Sequence, residues 1–427
     1  MIIDFSVSNF RSIYEKVSLS MLASKLTGKE DTKENYFYPE RYKNFPILKS
    51  AVIYGANASG KSNLLKALAV FRSFIINSTD AKFGEGLEQE PFRLHKIALD
   101  EPTSFEMMFI TKDHIRYKYG FSYDKQDILE EYLYSYASLK ETKLFVRKKG
   151  EKIQFSSQFR GEKKVLEDQL LNNILLLSKA ANSNYLMMQD VYSYFKDNFL
   201  IFDSNYDSDY RFSNKISVQD EVFKKGIIDF LKVADTGIEG FNSTKEEVPE
   251  NLLKIADRHP ELKDHLLESA GYDTDVFHRI PADAGTNELV KWDLEEESSG
   301  TIKLFAMAGP MIDILQKGGV LIIDEINNGL HPLISEFIVR LFNNPQNNPK
   351  NAQLIFTTHD TTLLNKHLFR RDQIWFTEKN NLARTQLFSL GSFDKKEVRW
   401  DVPFDRWYLS GRFGALPTIA DLQTEQK

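Results

Sequence analysis

The 427-residue chain contains no cysteine, which excludes disulfides and thiolate metal sites. No stretch approaches the roughly 18 consecutive apolar residues needed to cross a bilayer. The opening MIIDFSVSNF has neither a basic segment nor a small-residue cleavage site, so no secretion signal is read there. A cytoplasmic protein without membrane contact is the expectation. Positive charge is not in excess: 55 Lys and Arg against 61 Asp and Glu give a net charge of −6. That balance argues against a generally basic nucleic-acid coat, while leaving room for a local basic groove. Internal repeats and low-complexity tracts are also lacking.

What is present is punctuated by phosphate-binding chemistry. Gly55 to Ser62 reads GANASGKS, a complete loop of the form GxxxxGK[ST]. Lys49 to Tyr54 before it is apolar and β-branched, as a buried strand is; Asn63 to Ile76 after it carries Leu64, Leu65, Leu68, Phe71, Phe74 and Ile75 at helical spacing. Strand, glycine loop and helix are the context this motif requires. Gly55 and Gly60 let the backbone turn its N–H groups inward, Lys61 reaches the β- and γ-phosphates, and Ser62 offers a hydroxyl to Mg²⁺. Gly55, Asn57, Gly60, Lys61, Ser62 and Asn63 are therefore the candidate nucleotide contacts of the loop, with ATP and Mg²⁺ the expected cofactors.

Three further segments complete the pattern. Gly319 to Ile323 is a buried-strand sequence ending in Asp324 and Glu325, the form of a Walker B segment: Asp324 would hold Mg²⁺ and Glu325 would orient or deprotonate the attacking water. Gln353 to Thr358 reads as a third strand, and His359 leaves its C-terminal end, where parallel α/β sheets bind ligands. Ser298, Ser299 and Gly300 open a helix some twenty residues before Walker B, presenting N–H groups and hydroxyls at its positive end; a simple N-cap is the bland alternative. Gln89, just before Pro91-Phe92, is the candidate Mg²⁺-sensing glutamine. Arg11 is either a nucleotide neighbour or a strand-surface arginine.

The set GANASGKS, ESSGT, LIIDEINNGLHP and TTHD resembles the ABC-type ATPase core of the SMC, RecF and OLD proteins, and not an ABC transporter subunit or an AAA+ hexamer motor. INNGLHP stands as the D-loop, with His331 where transporter versions have an acidic residue. Along nearly the whole chain the sequence resembles the RloA/AbiL-type ATP-binding proteins of prokaryotic restriction and phage-defence operons, through PFRL at Pro91–Leu94, LLLSKAANSNY at Leu175–Tyr185 and YLSGRFGALP at Tyr408–Pro417. The resemblance implies an α/β fold: a P-loop NTPase of ABC type, an SMC/RecF/OLD-like head with an antiparallel β lobe and a mainly helical insertion. It also implies a head-to-tail dimer or higher homo-oligomer, in which Ser298, Ser299 and Gly300 meet the γ-phosphate in trans while Glu325 and His359 assist hydrolysis.

More than 260 residues separate Walker A from Walker B, so an insertion must leave and rejoin the core. We expect 1–160 to be the N-terminal part of the head, including an antiparallel β lobe, 161–277 a mainly helical insertion, and 278–427 the C-terminal part of the head. Phe105–Ile110, Ile115–Tyr123 and Ile128–Leu139 read as strands; Leu166, Leu170, Leu171, Ile174, Leu175 and Leu177, then Val222, Ile227, Ile228, Phe230 and Leu231, read as helical packing stripes. Lys140, Lys143, Arg147, Lys148, Lys149, Lys152, Arg160, Lys163 and Lys164 form a basic cluster, either a DNA-backbone contact or solvated turns with interspersed Glu. Asp207/Asp209 and Asp273/Asp275 are DxD pairs read as surface loops. No DxD follows His359, so a Toprim nuclease of the OLD kind is not expected and an effector would be a separate chain. The leading expectation is an ATP-hydrolysing switch that controls a separately encoded effector or toxin in anti-phage defence. The alternatives are a RecF-like DNA-repair ATPase and a slowly hydrolysing scaffold that sequesters a toxin.

Overall fold

A computed structural model describes residues 1–25, 32–137, 140–202, 210–248, 271–281, 288–394, 398 and 402–417. The chain forms two compact units: Met1–Ile201 with Leu315–Asn327 and His331–Lys427, and Phe202–Ile314 with Asn328–Leu330.

In the first unit a six-stranded sheet has the order Phe199–Phe202, Val320–Ile323, Gln353–Thr357, Ser50–Gly55, Ile374–Lys379, Thr385–Ser389. Its four central strands are parallel, and the last pairs antiparallel. The phosphate-loop strand, the Walker B strand and the strand before His359 are buried at every residue, as strands covered on both faces must be. Their C-terminal ends therefore lie side by side, with the loop strand and the Walker B strand flanking Gln353–Thr357.

The second sheet of this unit is antiparallel, seven strands in the order Gln154–Phe155, Thr142–Lys148, Ile128–Ser135, Arg116–Tyr123, Thr103–Ile110, Ile2–Ser8, Val17–Ser20. Alternation puts Phe105, Met107 and Phe109, and Tyr117, Tyr119, Phe121 and Tyr123, on its inner face. Between the sheets runs the helix Lys61–Asn77. Phe71 on that helix stacks on Phe121 at 5.6 Å and meets Phe195 nearly at a right angle at 5.5 Å. Aromatic pairs of this kind contribute about 0.5–1.5 kcal/mol each beyond their buried area. The helix behind the phosphate loop is thereby fixed by the β lobe.

A buried carboxylate secures the lobe's outer half. Glu131 lies directly opposite Arg147 on the neighbouring strand, Nη1 to Oε2 3.6 Å. The same carboxylate accepts from Tyr119 Oη at 2.9 Å, Leu176 N at 2.6 Å and Leu177 N at 2.9 Å, so it caps the helix Leu176–Asn182. Burial pushes the Glu131 carboxyl up, against the opposing pull of Arg147 and these donors.

The helical stripe read from Leu166 is interrupted. Helices span Lys163–Asp168, Leu176–Asn182 and Leu186–Asp197, and Leu170 and Leu171 lie in the intervening turns. All three belong to the first unit, whose first stretch runs to Ile201. The Glu131 cap ties the second of these helices to the lobe.

The second unit holds the helices Arg211–Gln219 and Glu221–Val233, an antiparallel sheet of Ile238–Lys245, Tyr272–Arg279 and Leu289–Asp293, and most of the helix Ser299–Lys317. Among the described residues, the strand Ile238–Lys245 follows these two helices. Ile227, Phe230 and Leu231 are buried as the stripe requires, whereas Val222, in the first turn, is exposed. Pro310 sits inside the long helix and has no N–H to donate to the Ala306 carbonyl. Ser213 Oγ supplies that donor, at 3.1 Å to Ala306 O and 2.7 Å to Phe305 O, and itself accepts from Gly309 N at 3.1 Å. Of the DxD pairs, Asp207 and Asp209 lie outside the described residues. Asp275 accepts from Lys291 Nζ at 2.9 Å on the neighbouring strand. Among the described residues no group of three acidic or histidine side chains is placed to hold a metal.

Candidate nucleotide site

Two glycines shape the loop. Gly55 (φ +154°) and Gly60 (φ +113°) adopt backbone that favours glycine, and a Cβ at either would fall 2.4 Å from the Thr377 carbonyl oxygen or 2.2 Å from Thr385 Oγ1. Strand hydroxyls pin the loop from the side. Ser59 and Thr377 share a 2.6 Å hydrogen bond, and Thr385 Oγ1 lies 2.8 Å from both Ser59 O and Ser12 Oγ. Asn63, expected at the nucleotide, donates instead to Ser12 Oγ at 2.7 Å; Asn57 is exposed on the loop. Lys61 folds back over the loop, donating to Gly55 O at 2.8 Å and Ala56 O at 3.1 Å. Burial lowers its pKa, against the pull of Glu325 and Asp324.

Parallel register sets the acidic side. Ile323 pairs with Phe356, which brings Asp324 beside Thr357. Thr357 Oγ1 donates to Asp324 Oδ1 at 2.6 Å and accepts from Glu325 N at 2.8 Å; Ser62 Oγ donates to the same Asp324 oxygen at 3.2 Å. Glu325 adopts φ +53°, a left-handed conformation that costs a non-glycine residue about 1 kcal/mol or more. The Thr357 contacts, with Ile326 N donating to Thr357 O at 3.1 Å, hold that turn. Its consequence is that the Glu325 carboxylate leaves the sheet and stands 3.8 Å from His359 Nε2, both side chains open to solvent. Asn327 Oδ1 accepts from Thr358 Oγ1 at 2.7 Å and from His359 N at 3.4 Å, steadying the histidine's backbone.

The structure therefore gathers Gly55, Gly60, Lys61, Ser62, Asp324, Glu325 and His359 at one end of the parallel strands. Gln89 is engaged elsewhere: its Nε2 donates to Glu101 O at 2.9 Å. Arg11 is ion-paired with Glu90 at 2.7 Å. Ser298, Ser299 and Gly300 open the long helix of the second unit. Ser298 Oγ accepts from Thr301 N at 3.1 Å, an N-cap, and a Cβ on Gly300 would fall 2.7 Å from Gly329 O. Lys303 Nζ donates to Asn328 O at 2.8 Å, so Asn328 packs on this helix. In the basic cluster Arg147 is the buried partner of Glu131, Lys149 pairs with Asp127 at 2.7 Å and Lys148 with Glu130 at 3.6 Å. Thr357 and Asn327 were not singled out by the sequence pattern; the flanking TTHD and DEINN strings were the only signal for them.

Thr357→Val keeps the shape and removes one donor and one acceptor from the acidic cluster. Turnover is expected to fall about tenfold or more with nucleotide affinity within a few-fold, and Thr357→Ser to retain most of it. Steady-state hydrolysis beside nucleotide titration checks this; equal turnover in the Val variant would remove Thr357 from the positioning role.

Burial, then the Lys61 charge, lower the His359 pKa below its ordinary 6.5, while Glu325 and Asp324 oppose the shift. A histidine with a depressed folded pKa is neutral at pH 7, and its protonated form is the one the fold disfavours. Any acid limb that His359 contributes to kcat/KM is expected below pH 6.5, and His359→Gln to remove it. An unchanged limb in the Gln variant would assign it to another group.

A glycine loop between a parallel strand and a helix, an Asp-Glu pair ending a nearby strand, a histidine at the end of the strand between them, and an antiparallel lobe behind the helix define a P-loop ATPase fold of the ABC type. Residues 50–365 match the family described as “AAA domain, putative AbiEii toxin, Type IV TA system”, and the chain belongs to that family. No curated protein matches the chain. Solved structures similar to it include an Smc head bound to the C-terminal winged-helix domain of ScpA, at 11% identity and TM-score 0.41, covering 91% of this chain and 97% of that one. Others are a Pyrococcus furiosus Smc head with an extended coiled coil bound to the C-terminal domain of ScpA (12%, 0.39, 91% and 96%) and the recombination mediator RecF with ATP (14%, 0.37, 91% and 97%). At these scores the assignment rests on the family match, the motif order and the sheet topology. No helix among the described residues is long and apolar enough to cross a membrane.

Proposed function

We propose that the protein hydrolyses ATP and couples that reaction to self-association, as a switch acting on a separately encoded effector in prokaryotic defence against phage. The observation that carries this reading is the convergence of Lys61, Ser62, Asp324, Glu325 and His359. The loop suits a triphosphate: its two glycines let the backbone lie tight against Thr377 and Thr385, where any Cβ would clash, and the buried Lys61 ammonium lies against the loop carbonyls. The hydroxyl and carboxylate of Ser62 and Asp324, 3.2 Å apart, are hard oxygen donors that suit Mg²⁺, which when bound would neutralise phosphate charge. Lys61 releases the loop carbonyls to take the phosphates. Glu325, exposed and turned out of the sheet, orients and deprotonates the attacking water, and neutral His359 beside it meets the γ-phosphate. Ser298, Ser299 and Gly300 belong to the site of a second copy, so that ATP favours the paired state and hydrolysis relaxes it.

The defence role and kinship to RloA/AbiL-type proteins are supported by PFRL, LLLSKAANSNY and YLSGRFGALP, and by a family description that names a toxin–antitoxin system. The partner is read as protein rather than DNA, because the cluster's Arg147 is buried and several of its lysines have local partners. Sedimentation of the wild type with and without ATP–Mg²⁺ tests the switch. Wild type is expected to dimerise or assemble further only with ATP, and Lys61→Ala to stay monomeric with turnover lost. A mass independent of ATP would overturn it.

A further inference from the structure

We infer that His278 is a positioning residue for the signature segment: it ties down the Glu297 carboxylate that would otherwise occupy the anion-binding end of the signature helix. The inference rests on the head-to-tail reading above and adds to it His278, which no motif marks, and a role for Glu297, the first residue of ESSGT.

Glu297 immediately precedes Ser298, the N-cap of the helix Ser299–Lys317. The first-turn N–H groups of a helix have no partner within it, and with the helix dipole they attract anions. In the proposed assembly that anion is the γ-phosphate held by the other copy. A carboxylate tethered one residue before the N-cap is a rival for the same donors at high effective concentration. Glu297 is kept from them. Its Oε1 lies 2.5 Å from His278 Nε2, and the carboxylate side chain is only 8% exposed. His278 is itself fixed, on the strand Tyr272–Arg279, with its ring 4.4 Å from the Trp292 ring on the next strand. The backbone of Glu297 is extended and its N–H donates to Leu294 O at 3.1 Å, which leaves the side chain as the part that can swing. The three-stranded sheet thus serves the signature by holding one side chain.

The test measures ATP-driven self-association in a Glu325→Gln background, where the paired state persists. His278→Ala is expected to weaken association roughly tenfold, since each pair contains two signature helices and each loses a contribution of helix-terminus size. ATP binding to the single protomer, measured at concentrations below association, should not change. His278→Gln, which keeps a donor, should restore part of the association. The double variant His278→Ala with Glu297→Gln should restore most of it, because the freed side chain no longer carries charge. If the background protein fails to associate with ATP, the head-to-tail reading is what falls. If it associates and His278→Ala does so equally, or if the double variant is as weak as His278→Ala alone, the positioning role is overturned.

Discussion

Glu325→Gln is expected to reduce ATP turnover by roughly 10²–10⁴-fold, the usual contribution of a positioned general base, with nucleotide affinity kept. The substitution preserves size and removes only the capacity to accept a proton. Of the other groups in the cluster, Asp324 is engaged by the hydroxyls of Thr357 and Ser62, and His359 stands 3.8 Å from Glu325. The left-handed turn at residue 325 should survive, because Thr357 holds it through the backbone N–H and not through the carboxylate. The consequence for assembly is the opposite of that for turnover: with hydrolysis slowed, the ATP-bound pair should persist for minutes or longer. Phosphate release and ATP-dependent sedimentation on the same sample check both halves. Turnover within tenfold of wild type would show that another group takes the proton.

Glu131→Ala is expected to be the most destabilising single substitution in the β lobe, by about 3–5 kcal/mol, because it removes one partner of a buried pair. Arg147 would be left with an uncompensated charge, and the N–H groups of Leu176 and Leu177 and the Tyr119 hydroxyl would lose their shared acceptor. Arg147 would keep its bonds to the Leu171 and Asn172 carbonyls, which moderates the loss without supplying charge. Glu131→Gln keeps an acceptor for these donors and should lose clearly less. Thermal unfolding should show the Ala variant several degrees below wild type, with Gln between them. Because Tyr119 also faces Phe71 on the loop helix, at 6.1 Å, the Ala variant should lower ATP affinity as well. A Tm within a degree of wild type would mean that the carboxylate is protonated or solvated in the folded protein.

The sequence showed the phosphate loop almost completely, since strand, glycines, lysine and helix are consecutive and each has its own local signal. Asp324, Glu325 and His359 were readable for the same reason, as residues that end apolar runs. Thr357 was not, because its role depends on the register between two strands distant in sequence, and a threonine at a strand end carries no mark of what stands opposite. Arg147 misled for a related reason: within a run of lysines it counts as surface charge, and only the pairing of its strand with that of Glu131 turns it inward. Asn63 follows the loop directly, yet Ser12 claims its amide. The three strands after Ile238 were hidden because their residues are polar and half-exposed, without a long apolar alternation to betray them.

Pro310 and Ser213 make a last point about inheritance. The Ser213 hydroxyl joins Gly309 N to the Phe305 carbonyl and also reaches the Ala306 carbonyl, which Pro310 leaves without its helical donor. A change at either position is therefore felt at the other through the Ala306 carbonyl. Close contact enforces this further, since a Cβ on Gly309 would fall 2.7 Å from Ser213 Cα. Positions 213, 309 and 310, almost a hundred residues apart, should pass between descendants as a linked set, and the pair 213/310 should show strong epistasis in any library that varies both.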